Sequence, residues 1–102
     1  MEQPVTIEGK ELRLATITVG ALESIELGGK EGRKFNIALI ALSLLAAGDT
    51  EHGTEEWVRS VHVFAQDGAE PPFQQLLSAA NKVNGFKTAT PGEKGPEAPA
   101  AG

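Results

Sequence analysis

The sequence predicts a mainly helical α+β domain, an N-terminal β-hairpin packed on a small bundle of three to four helices. Three observations predict it. Val5, Ile7, Leu12 and Leu14 alternate on either side of Gly9-Lys10, the period-2 pattern of a half-buried hairpin. From Thr18 to Val83, apolar residues recur at helical spacing in four stretches, each set off by cap residues, glycines or prolines. From Lys87 to Gly102 there are three prolines, three glycines and no aliphatic side chain larger than alanine. Such a segment buries too little apolar area to offset its ordering entropy. The expected organisation is one folded domain over 1–86 and a flexible tail over 87–102.

The hairpin is expected over 4–15, with Gly9-Lys10 as a two-residue type II′ turn, because glycine supplies the positive φ required first. That register sets Ile7 opposite Leu12 and Val5 opposite Leu14 on one face. It also places Glu8 opposite Glu11, a small like-charge cost. An isolated hairpin is marginal in water, so the apolar face packs on the helices.

The first helix is expected at about 18–27. Thr18 is a good N-cap, with Ile17 and Leu22 spaced as a hydrophobic staple. Leu22 and Ile25 point inward, and Gly28-Gly29 is the stop. The second helix is expected at about 36–47, capped by Asn36, since Arg33 and Lys34 sit badly at the positive end of a helix dipole. Ile37 to Leu45 is apolar all round, as in a helix central to a bundle or buried between subunits. Gly48 is its C-cap glycine. The third helix, about 54–66, is capped by Thr54, carries Glu55 and Glu56 in its first turn, and buries Trp57, Val58, Val61, Phe64 and Ala65 before Gly68. Trp57 is expected at the centre of the packing. The fourth, about 71–84, starts at Pro71-Pro72, buries Phe73, Leu76, Leu77, Ala80 and Val83, and stops at Asn84-Gly85, with Phe86 folding back.

Composition narrows function mainly by exclusion. Fourteen acidic and nine basic residues leave a net charge of −5. No basic stripe is available for the phosphate neutralisation on which nucleic-acid binding runs. The absence of cysteine removes disulfides and thiolate metal sites. Met1-Glu2-Gln3-Pro4 lacks the basic and apolar regions of a signal peptide, and the longest apolar run is far short of the ~20 residues that span a bilayer. The expectation is a soluble intracellular protein with no membrane partner.

No residue constellation announces catalysis. His52 falls in a loop expected to be exposed, and His62 on the polar side of the third helix; neither belongs to a HExxH or CxxC pattern. Gly28-Gly29-Lys30-Glu31-Gly32-Arg33-Lys34 lacks the GxxxxGK[ST] spacing and reads as a connector, with three basic residues open to an acidic partner. The carboxylate pairs Glu55-Glu56, Glu23/Glu26 and Asp67/Glu70 lie at helix ends or on polar faces, where carboxylates serve solubility. The third and fourth helices imitate a helix-turn-helix, but the second would offer Gln74, Gln75, Asn81 and only Lys82 to DNA. Catalytic, cofactor-binding and metal-binding residues are therefore expected to be none.

The order of parts resembles one family. The hairpin Val5 to Leu14, the helix start Thr18 to Glu26, and the helix end and tail Val83 to Glu93, with its Pro91-Gly92-Glu93, are similar to the small tail assembly chaperones of long-tailed bacteriophages. The middle of the chain matches only in being helical. The resemblance implies a non-enzymatic protein without cofactor, acting in the host cytoplasm and absent from the mature virion. It would coat the long helical tape measure protein, prevent its aggregation and help recruit tail tube protein. A frameshifted longer product often extends the C-terminus in that family. No site residues carry over, and the partner-binding face is not assigned. The apolar second helix suggests self-association into a homo-oligomer or a groove for partner helices. Two other readings stand beside this one: a structural tail completion or connector protein, and a small helix-turn-helix regulator.

Overall fold

Strand β1 (Glu2–Ile7) and strand β2 (Lys10–Ala15) form an antiparallel two-stranded sheet in the computed structural model, which describes residues 2–64 and 70–85. The turn differs from the expected one by a single residue. Glu8 and Gly9, at φ 50° and 85°, occupy its centre, and Ile7 pairs with Lys10, Val5 with Leu12 and Gln3 with Leu14. Two consecutive positive φ angles are the signature of a type I′ turn, whose twist matches that of the flanking strands. Each cross-strand partner thus moves by two positions, which preserves parity. Ile7, Leu12 and Leu14 are buried on the shared face as expected. The like-charge pair of Glu8 and Glu11 does not form: Glu11 faces Thr6.

Helix α1 (Val19–Leu27) begins as expected, with the Thr18 hydroxyl accepting from the Ala21 N–H at 3.1 Å. Ile25 is its one buried residue. Helix α2 (Gly32–Ala46) starts four residues before the expected 36, so Asn36 lies inside it rather than capping it. Glu31 holds the N-cap position without a side-chain bond, and Arg33 and Lys34 occupy the first turn. Exposed cations there cost only about 0.3–1 kcal/mol. The extra turn brings Phe35 onto the core, and that packing outweighs the dipole term. The C-terminal end is a complete Schellman motif. The Gly48 N–H donates to Leu45 O and the Asp49 N–H to Leu44 O, with Gly48 at φ 93°.

Helix α3 (Glu55–Arg59) is capped by the Thr54 hydroxyl on the Trp57 N–H, as expected, but it ends seven residues before 66. Both the N–H and the hydroxyl of Ser60 turn back onto Trp57 O, closing the helix through local side-chain competition. The chain then leaves so that His62 O can accept from the Phe73 N–H at 3.1 Å. The helical spacing of Val61 and Phe64 is consequently not used: Val61 is half-buried and Phe64 is 81% exposed. Trp57 is half-buried at the edge of the core rather than central to it. Helix α4 (Pro72–Asn84) runs from the Pro71 cap to Gly85, at φ 80°, and buries Leu76, Ala79, Ala80 and Val83. Phe73 and Leu77, expected inside, are half-buried. Ala65, Gly68, Phe86 and the expected flexible tail lie outside the described residues.

The core is built around α2, which packs against β2, α1, α3 and α4, while α4 also covers both strands. Leu14, Leu39, Ile40, Leu44 and Leu76 are completely buried at its centre. One polar clasp closes it. Asn84 Oδ1 accepts from the Ile17 N–H at 2.8 Å, and its Nδ2 donates to Ser43 Oγ at 3.0 Å and to Ala80 O at 2.8 Å. Thr16 Oγ1 donates to Val83 O beside it. Asn84 thereby fixes the exit of β2, the last turn of α2 and the last turn of α4 to one another.

Candidate functional site

The loop between α2 and α3 holds the most organised polar group outside the clasp. Asp49 follows the Schellman turn, and its Oδ1 accepts from the His52 N–H at 3.0 Å. The two Asp49 carboxylate oxygens lie 2.9 and 3.1 Å from His52 Nδ1, so the ring carries its proton on Nδ1 to donate to them. Contrary to expectation His52 is buried, at 8% exposure. Its ring stands edge-on to Trp57, with centroids 4.7 Å apart. Gly53 presses directly on the end of α2; a Cβ there would lie 2.7 Å from Asp49 O and 2.8 Å from the Leu45 N. Only glycine fits, which locks the loop against the helix.

An imidazole oriented by a carboxylate is half of a nucleophile-activating arrangement. The other half is not assembled among the described residues. Nε2 lies 3.9 Å from Glu51 Oε2, and among the described residues no hydroxyl comes within hydrogen-bonding distance of it. Neither is any group of three or more His, Asp or Glu side chains among the described residues placed to hold a metal ion. The arrangement ties a loop.

The other sequence candidates are scattered. His62 is exposed beyond the end of α3, with Nδ1 3.3 Å from Glu8 Oε2. In the glycine-rich connector, Lys30 reaches Glu55 at 4.0 Å, and Arg33 and Lys34 face solvent. Glu55 also pairs with Arg59, Glu23 and Glu26 are exposed on α1, and Asp67 lies outside the described residues. A helix-turn-helix would need a longer first helix than the five residues of α3.

Apolar surface is where the site of a binding protein would be sought, and it is not where the sequence placed it. Most of α2 is consumed within the chain: Ile37 through Ala41, Ser43 and Leu44 are buried, and only Leu45 is substantially exposed among its large apolar residues. It therefore offers no open groove. Large apolar side chains stand exposed instead at Val19 and Leu27, 73% and 88% accessible at the two ends of α1, and at Leu45, Val63 and Phe64. Periodicity could not have found them, since Phe64 continues the α3 spacing and Val19 and Leu27 flank an otherwise regular helix. Two shallow clefts lie among the described residues. One, of about 370 Å³, runs between residues 11–13 of β2 and residues 47–49. The other, of about 240 Å³, lies between β1 and α4.

No helix among the described residues is long and apolar enough to cross a membrane. No protein-family model matches the chain, and no curated protein or solved structure matches it significantly.

Proposed function

We propose that this protein is a non-enzymatic tail assembly chaperone of a long-tailed bacteriophage, binding apolar segments of the tape measure protein and helping to recruit tail tube subunits in the host cytoplasm. The observation that carries the reading is the placement of its exposed apolar residues. Val19, Leu27, Leu45 and Phe64 project from a chain of net charge −5 whose core is otherwise closed. Such side chains offer contacts to amphipathic partner helices, while the charge imbalance keeps a loaded complex soluble. The choice of partner is supported by the resemblance of Val5 to Leu14, Thr18 to Glu26 and Val83 to Glu93 to that family.

Apolar capture survives high salt, whereas binding through phosphate contacts falls steeply with it. Co-expression with a tape measure protein should therefore keep that protein soluble without ATP or metal, and the pair should stay together in a high-salt pull-down. Equal aggregation with and without this chain rejects the proposal. Recovery of the chain as a stoichiometric part of mature particles assigns it instead to the structure of the virion.

A further inference from the structure

Asn84 and Gly85 form the one Asn–Gly step of the chain; Asn36 and Asn81 are followed by Ile37 and Lys82. In an open chain such a step is chemically unstable. The backbone nitrogen after the asparagine, once deprotonated, can reach the side-chain Cγ, and glycine leaves that approach unhindered. An N–Cγ bond forms, the Cγ–Nδ2 bond breaks, and Nδ2 departs as ammonia with a proton taken from solvent. Water then opens the resulting succinimide. Cleavage at Cγ leaves aspartate, and cleavage at the backbone carbonyl leaves isoaspartate, whose main chain runs through the former side chain. The net change is one water consumed and one ammonia released.

The fold opposes each step of this route. The Gly85 N–H, which would have to lose its proton, donates to the carbonyl oxygens of Asn81 and Lys82 at the left-handed end of α4. Both Nδ2 protons of Asn84 are engaged, on Ser43 Oγ at 3.0 Å and on Ala80 O at 2.8 Å, and Oδ1 accepts from the Ile17 N–H at 2.8 Å. Attack turns Cγ from planar to tetrahedral, which pulls Oδ1 and Nδ2 out of these bonds. Neither product restores the clasp. A carboxylate only accepts; the Ser43 hydroxyl can turn to donate to it, but Ala80 O then faces an oxygen with no proton between them. The new negative charge also lies at the C-terminal end of α4, where the helix dipole disfavours it. Isoaspartate adds a main-chain carbon in the same turn. We infer that Asn84–Gly85 is a fold-gated deamidation site: it stays intact while the clasp is closed, is converted in chains that have opened or have yet to fold, and then impedes their return.

The test holds the full chain at mildly alkaline pH in guanidinium chloride sufficient to unfold it and, in parallel, in the same buffer without denaturant. Peptide mass spectrometry should locate the mass gain of an amide-to-acid exchange at Asn84, ahead of Asn36 and Asn81. In the folded sample the gain should accumulate at least about a hundredfold more slowly, because only the opened fraction reacts. Gly85→Ala, followed in denaturant where no fold is required, should slow the conversion. Ser43→Ala, which removes one bond of the clasp, should speed it in native buffer. Asn84→Asp, made directly, should lower the folding equilibrium constant about tenfold to a hundredfold. Equal rates in the folded and unfolded samples, a native rate unmoved by Ser43→Ala, conversion in denaturant indifferent to Gly85→Ala, or an Asn84→Asp chain with the wild-type unfolding midpoint would each overturn the inference.

Discussion

The β2–α2–α4 side of the molecule and the α1–α3 side are built from similar residues but held very differently. On the first, Leu14, Leu39, Ile40, Leu44 and Leu76 are completely enclosed, and Asn84 ties three segments together through three hydrogen bonds. On the second, α1 keeps one buried residue, Ile25, leaves Val19 and Leu27 in solvent, and α3 is barely more than one turn. The lesson concerns division of labour. A chain this short has few side chains to spare, so those left outside a closed core are the ones free to meet a partner.

The comparison can be broken most severely at the rigid side. Leu39→Ala should cost about 2–5 kcal/mol, enough to unfold a marginal domain. A urea midpoint close to wild type would show that α2 is not the centre of the core. Next comes Asn84→Ala, with an expected loss of about 3 kcal/mol, because the Ile17 N–H and the buried Ser43 hydroxyl both lose their partner. A double-mutant cycle with Ser43→Ala isolates that contact: coupling near zero would mean the clasp is incidental. Gly53→Ala forces a Cβ against the α2 backbone and should cost about 2 kcal/mol. The near-UV signal of Trp57 should change with it, since the ring packs on the His52 that this loop positions; an unaltered spectrum would uncouple the loop from the indole.

What the sequence made legible depended on whether local chemistry and tertiary packing pointed the same way. The Thr18 and Thr54 caps, the stop at Asn84-Gly85 and the inward face of the hairpin formed as expected because nothing distant opposed them. The turn was misplaced because Glu8 takes a left-handed φ, which glycine preference alone does not reveal. The start of α2 moved because burial of Phe35 outweighs an unfavourable charge placement. In α3 the helical spacing of Val61 and Phe64 was real but yielded to Ser60 and to the bond between His62 and Phe73. The Asp49–His52 pair was illegible as a pair: an i,i+3 carboxylate and imidazole in a glycine-flanked loop carry no sign of burial until α2 lies beside them. The exposed apolar surface was equally hidden, since the hydrophobicity of α2 drew attention to residues that the core consumes.

The smallest expected change in stability is also the sharpest test of the division between the two sides. Val19→Ser and Leu27→Ser replace large apolar side chains in a helix, as a core substitution does, yet both positions are mostly in solvent. Little burial is lost and the Thr18 cap is untouched, so the thermal midpoint should move by no more than about 0.5 kcal/mol equivalent. Capture of a tape measure protein should nevertheless fall, because the contact area these residues offer exists only when a partner covers it. The matched control is Glu23→Gln, exposed on the same helix, which removes a charge without removing apolar area. If the serine variants retain full capture while losing stability like Leu39→Ala, α1 belongs to the core and the distinction fails. If capture drops and the melting curve stays in place, the loosely held helix is the working surface.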